Sequence, residues 1–92
     1  MSYHQTKKAL LTATVRDTLG QLDTKRVFLA YRQHHGEALD LTPLSAILAE
    51  LVRDGVLSAD NELARKTGVW TLASGGRYKA EMKLKQLEIE GW

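Results

Sequence analysis

Along residues 41–58, LTPLSAILAELVRDGVLS, apolar positions recur with a helical period. Leu44, Ile47, Leu48, Leu51 and Val52 fall at i, i+3, i+4, i+7 and i+8, a stripe suited to burial. Thr42 suits the N-cap, because its hydroxyl can accept a bond from an orphan N–H of the first turn. Pro43 suits the first helical position, where its missing N–H costs nothing, and Gly55 suits the left-handed position past the end. The pattern predicts a helix over 42–54. Upstream, Ser2 and Gln5 have capping-box spacing, and Leu11, Val15, Leu19 and Leu22 follow at i, i+4, i+8 and i+11. They predict a first helix from about Tyr3 to Leu19, stopped by Gly20. Asp23 is placed to cap a second helix whose apolar face is Val27, Phe28 and Tyr31, ending near Gly36.

The next run, EALDL, fits a connector or a short strand equally well. Val56-Leu57-Ser58 and VWTL (69–72) read as two strands joined by the polar, turn-rich ADNELARKTG. Ser74 can cap a last helix from Gly75 to about Glu90. That helix carries Tyr78, Met82 and Ile89 on one side and Ala80, Leu84 and Leu87 on another. Glu81 and Lys85 add an i, i+4 pair in the favourable order.

Composition narrows the class. Ninety-two residues without repeat or low-complexity linker make one small domain over 1–92, with 75–90 as its C-terminal helix. The absence of cysteine excludes a disulfide frame and a thiolate metal site. No apolar run approaches membrane length and the first residues lack a signal-peptide core, so a cytoplasmic protein is expected. Charge is uneven. Residues 1–35 carry six Lys/Arg against Asp17 and Asp23, whereas 36–64 carry Arg53 against six acids. Residues 65–79 are again basic, with Arg65, Lys66, Arg77 and Lys79. A claim on nucleic acid must survive that acidic middle block.

The run TPLSAILAELVRDGVLS, a polar loop, and then GVWTLASGGRYKAE resembles a winged helix-turn-helix domain. Leu48, Leu51, Gly55, Val56 and Leu57 match the L-x-x-L-x-x-x-G-h-h ending of such a third helix. Trp70-Thr71-Leu72-Ala73-Ser74-Gly75-Gly76 stands where a Tyr-x-Leu-Thr-x-x-Gly segment often leads into a further helix. The layout is similar to small PadR- and MarR-type regulators over roughly residues 8–80. The resemblance implies a mainly α fold of three helices, a two-stranded β-hairpin wing and a C-terminal helix. It also implies a transcriptional regulator that binds double-stranded DNA.

On that resemblance, helix 42–54 enters the major groove. Thr42, Ser45, Ala46, Ala49 and Arg53 lie off its apolar stripe. Thr42 and Ser45 can bond phosphates or base edges, and Ala46 can meet a thymine methyl. No Arg, Asn or Gln occupies the first two turns, so the strong bidentate readers are missing, and Glu50 and Asp54 must tilt away from phosphate. Arg65, Lys66 and Thr67 place two charges and a hydroxyl on the wing, and Lys25 and Arg26 add cations at the start of the second helix. The plain alternatives are an ordinary packed helix, a solvated loop and a solvated first turn.

His34-His35 and Gly75-Gly76 invite a metal and a phosphate reading. Adjacent histidines on a helix diverge, and the full phosphate-loop pattern is absent, so no metal and no cofactor is expected. No arrangement supports catalysis, and the chain is expected not to be an enzyme. The two apolar sides of the last helix predict a homodimer through Tyr78, Met82, Leu84, Leu87 and Ile89, with the first helix or Trp92 sharing the interface. The competing function is a winged-helix module that docks a protein partner without DNA. DNA is favoured if residues 25–26 and 65–66 share a face with Thr42 and Ser45. A protein partner is favoured if Glu50, Asp54, Asp60 and Glu62 occupy that face.

Overall fold

Two short turns set the path of the chain. In the computed structural model, which describes residues 2–90, helix α1 (Ser2–Arg16) ends three residues before Leu19. The Asp17 carboxylate accepts the backbone N–H of Leu19 at 3.0 Å and of Gln21 at 2.7 Å. The chain therefore turns at 17–20 and enters strand β1 (Gln21–Asp23), an element the sequence did not announce. Leu19, expected on the buried stripe, is 77% exposed. The face of α1 that is buried carries Thr6, Leu10, Leu11 and Thr14. The two hydroxyls are tolerated there because each donates to a carbonyl, Thr6 to Asp40 at 3.0 Å and Thr14 to Leu10 at 2.8 Å. The side chain of Ser2 and residue Trp92, both given roles from sequence, lie outside what is described.

Helix α2 (Thr24–His35) follows its sequence signals closely. Asp23 caps it by accepting the Arg26 N–H, and left-handed Gly36 closes it by donating to the Arg32 carbonyl. Residues 36–43 then form a connector without a strand, anchored by buried Leu39. This link is longer than the three or four residues of a tight helix-turn-helix turn. Helix α3 (Leu44–Arg53) begins two residues later than expected. Pro43 is its N-cap residue and makes no side-chain cap. Thr42 instead lies in a preceding turn, where its N–H donates to the Asp40 carboxylate at 2.9 Å.

After α3, Val56 and Leu57 are fully buried, and Leu57 forms a single antiparallel bridge with Leu72. A short helix α4 (Ala64–Thr67) replaces the expected polar loop, and strand β2 (Val69–Thr71) follows. The two-stranded antiparallel sheet is β1–β2, with Gln21 opposite Thr71 and Asp23 opposite Val69. The hairpin expected between 56–58 and 69–72 is thus reduced to one bridge. Asn61 explains part of this. Its side chain accepts the Thr71 N–H at 2.9 Å and donates to the Ser58 carbonyl, taking bonds that a longer strand would have made.

Helix α5 (Gly76–Ile89) packs along α1. Its N-cap residue is Gly75, and Ser74 provides no cap. Gly76 is buried against the backbone of Val56, where any Cβ would collide with the carbonyl oxygen. Leu10, Leu11, Leu22, Ile47, Leu51, Val56, Leu57, Ala80 and Leu87 form the shared core, with Leu84 packed against it. Each buried Leu contributes roughly 1.5–3 kcal/mol, so α1, α3 and α5 hold the domain together.

Candidate functional site

The exposed face of α3 presents Ser45, Ala46, Ala49 and Arg53, opposite buried Ile47, Leu48 and Leu51. Thr42 is exposed just before it. Glu50 on this helix and Asp54 at its end are both engaged by cations. Glu50 accepts the Tyr3 hydroxyl at 3.2 Å and lies 2.6 Å from the Lys7 ammonium and 3.3 Å from that of Lys83. Asp54, the C-cap residue, takes Lys83 at 2.6 Å and is also reached by the Arg53 guanidinium at 3.4 Å. The cluster ties α3 to α1 and α5.

Its electrostatics follow from burial and pairing. Burial pushes the Glu50 carboxyl up, but the hydrogen bond and charge of Lys7 and the charge of Lys83 outweigh it, so the group sits below its ordinary value. The hydrogen bond from Lys83 holds Asp54 below its ordinary value. Burial pulls Lys83 down, yet Asp54 and Glu50 more than compensate and raise it. Burial, followed by the Glu50 charge, pushes the Tyr3 phenol up. All three charged groups are therefore held ionised at neutral pH.

Arg65 and Lys66 are exposed on α4, one turn of helix anchored by buried Ala64. Gly68 ends that turn at φ +78°, a conformation glycine adopts without strain. Its carbonyl accepts both the N–H and the hydroxyl of Thr24, each at 2.9 Å. The stem of Lys25 passes directly beside Gly68, so the start of α2 and the end of α4 are brought together. Lys25 thus joins the basic turn. Arg26 does not, since it lines a groove between α1 and α2. Thr67 is also spent locally: its hydroxyl donates to the Leu63 carbonyl at 3.0 Å and accepts the Val69 N–H at 3.2 Å. Asp60 and Glu62 remain exposed in the segment leading to α4.

On α5, Leu84 and Leu87 pack into the chain's own core, which removes them from the expected dimer face. Tyr78, Met82 and Ile89 stay exposed. His34 and His35 are exposed on the last turn of α2, with the His35 ring 4.2 Å from that of Tyr31. Among the described residues, no three His, Asp or Glu side chains gather into a group able to hold a metal ion. No described helix is long and apolar enough to cross a membrane.

Sequence reasoning missed Lys7 and Lys83 as partners of Glu50 and Asp54. The signal was present but weak, since each lysine borders the inner stripe of its helix rather than the middle of its polar face. Comparison with protein-family models, with curated proteins and with solved structures finds no match for this chain.

Proposed function

We propose that the chain is a DNA-binding regulator of winged-helix type. In this reading α3 meets the major groove, and Arg65 and Lys66, with Lys25 beside them, meet the phosphates. The observation that carries it is the engagement of Glu50 by Lys7 and Lys83 and of Asp54 by Lys83 and Arg53, which leaves neither acid without a cation. Ser45, Ala46 and Ala49 on the outer face of α3 are small and uncharged, and Arg53 beside them is paired with Asp54. The order α1, β1, α2, α3, a bridge at Leu57, then α4 and β2, is compatible with a winged layout whose hairpin is interrupted by a short helix. The test is a salt titration of duplex binding by fluorescence anisotropy. Replacing Arg65 and Lys66 with Ala is expected to weaken binding evenly across sequences and to flatten log affinity against log salt by roughly 0.9 per lost contact. Replacing Ser45 is expected to alter sequence preference and leave that slope unchanged. Absence of salt-dependent binding even near ~50 mM salt ends the DNA reading.

A second reading, a docking module for a basic protein partner, is favoured by Asp60 and Glu62 at the root of the basic turn. It predicts tighter partner capture with those acids intact and no duplex binding.

A further inference from the structure

The last turn of α3 belongs to an acidic stretch of sequence, yet the fold surrounds it with cations. Lys7 and Lys83 reach Glu50 at 2.6 and 3.3 Å, and Lys83 and Arg53 reach Asp54 at 2.6 and 3.4 Å. Lys79 adds a fourth cation, its ammonium and the end of its stem lying where a side chain on Gly55 would stand. Against them are Glu50, Asp54 and Glu90, the last bordering Lys7 and Lys83 from the end of α5. Four cations therefore meet three carboxylates here, and the excess is positive.

Lys79 is the cation of this group that the protein itself does not employ. On α5, Arg77 donates to the Asp17 carbonyl, Lys83 holds Asp54 and Glu50, and Lys85 pairs with Glu81 at 3.6 Å. Lys79 has no hydrogen-bond or ion-pair partner among the described residues. Its place is nonetheless defined. Gly55 has no Cβ, so the stem can lie against the backbone there, and the carbonyl end of α3 attracts a cation. The charge sits at the residue two beyond exposed Arg53, past the end of the face that carries Ala46 and Ala49. Length then decides what can meet it. The 10 residues of α3 span about 15 Å, whereas a B-DNA major groove is about 12 Å wide. A helix whose first turn reads base edges therefore carries its last turn to the groove wall, where the phosphates run.

The geometry points to Lys79 as a phosphate-binding residue, a second anchor on the duplex backbone supplied by α5 beside the C-terminal end of α3. It rests on the DNA reading above and extends that interface to a helix outside the three-helix and wing set. The two anchors are separated by strand β2, with the basic turn and Gly68 before it and α5 after it. Backbone contacts fix orientation as well as attachment, so two separated anchors set the angle of α3 in the groove.

The experiment is duplex binding by fluorescence anisotropy from ~50 to ~200 mM salt, for the parent, Lys79→Gln, Lys79→Arg and Lys85→Gln. Glutamine keeps part of the stem over Gly55 and removes the charge. Lys85 lies on another side of the same helix and is already paired. Lys79→Gln is expected to flatten log affinity against log salt by roughly 0.9, so that its affinity falls about 3.5-fold less than the parent's over that range. Lys79→Arg and Lys85→Gln are each expected to keep the parent's slope. If Lys79 only closes the end of α3, Lys79→Gln lowers the urea midpoint and leaves the salt slope unchanged, which overturns the inference. Equal flattening by Lys79→Gln and Lys85→Gln also overturns it, because attraction is then general rather than local. A parent without salt-dependent binding removes the DNA reading and this inference with it. A binding parent whose slope Lys79→Gln does not alter removes this inference alone. Circular dichroism checks that the helices are retained, and should Lys79→Gln lose them, Lys79→Met takes its place with the same expected slope.

Discussion

The Lys83 ammonium sits 2.6 Å from the Asp54 carboxylate and 3.3 Å from that of Glu50, so one cation holds two acids of α3 against α5. Its side chain is only 22% exposed, which shields the contacts from solvent more than a surface pair would be. Replacing Lys83 with Met keeps the stem and removes the charge. The expected cost is about 1–2 kcal/mol, below the loss for a wholly buried pair because Lys7 still serves Glu50. Urea unfolding should register it as a lower midpoint with an unchanged slope.

Stability is expected to fall in acid through Glu50 and Asp54. Both carboxyls are lowered in the folded chain, so their contribution is fully present above the ordinary carboxylate values. It is lost as pH falls through the lower folded values. Lys83 is raised, so its share is present below its ordinary value of 10.5 and disappears only as pH rises beyond it. Chain carrying Glu50→Gln and Asp54→Asn should be less stable at neutral pH and lose less between about pH 5 and pH 2 than the parent does. Parallel urea curves across that range would show it.

Gly76→Ala is expected to destabilise by about 1–3 kcal/mol although the residue begins a helix, where alanine is normally welcome. The cause is the Val56 carbonyl lying where the new methyl must go. For a domain of this size that is a drop of about 4–8 °C in Tm for each kcal/mol. A thermal melt at or above the parent's midpoint would contradict the packing described.

Neighbouring cations on α2 should behave differently toward duplex DNA. Lys25 passes beside Gly68 at the basic turn, whereas Arg26 lines the groove between α1 and α2. Lys25→Ala is expected to reduce the slope of log affinity against log salt by roughly 0.9, and Arg26→Ala to leave it where it was. Equal slopes for the two variants would remove Lys25 from the interface.

Much of the helical frame could be read from residue order. Asp23 and Gly36 bracket α2 because capping is local chemistry, complete within a few residues. The stripe of Ile47, Leu48 and Leu51 named the buried face of α3 for the same reason. What escaped was decided across the chain. Strand β1 has only three residues and exists because Thr71, Trp70 and Val69 come to lie beside it. Thr6 and Thr14 look polar in sequence and are fully buried because carbonyls meet their hydroxyls. On the candidate surface, exposure of Ser45, Ala46, Ala49, Arg53, Arg65 and Lys66 followed from helical spacing and charge. The separation of Lys25 from Arg26, and the turning away of Glu50, needed the third dimension.

The pairing of β1 with β2 and the packing of α1 on α5 leave part of the core to be completed late in folding. The first strand finds its paired partner only in residues 69–71, and the first helix, although it also meets α2 and α3, packs most extensively on residues 76–89. Loop closure must precede the contacts that reward it, which slows the search relative to a bundle of sequential neighbours. Until α5 arrives, Leu10 and Leu11 have no cover on that side. A nascent chain stalled before residue 76 would therefore hold an apolar helix open to chaperones or to aggregation, and its closure would be a single late event.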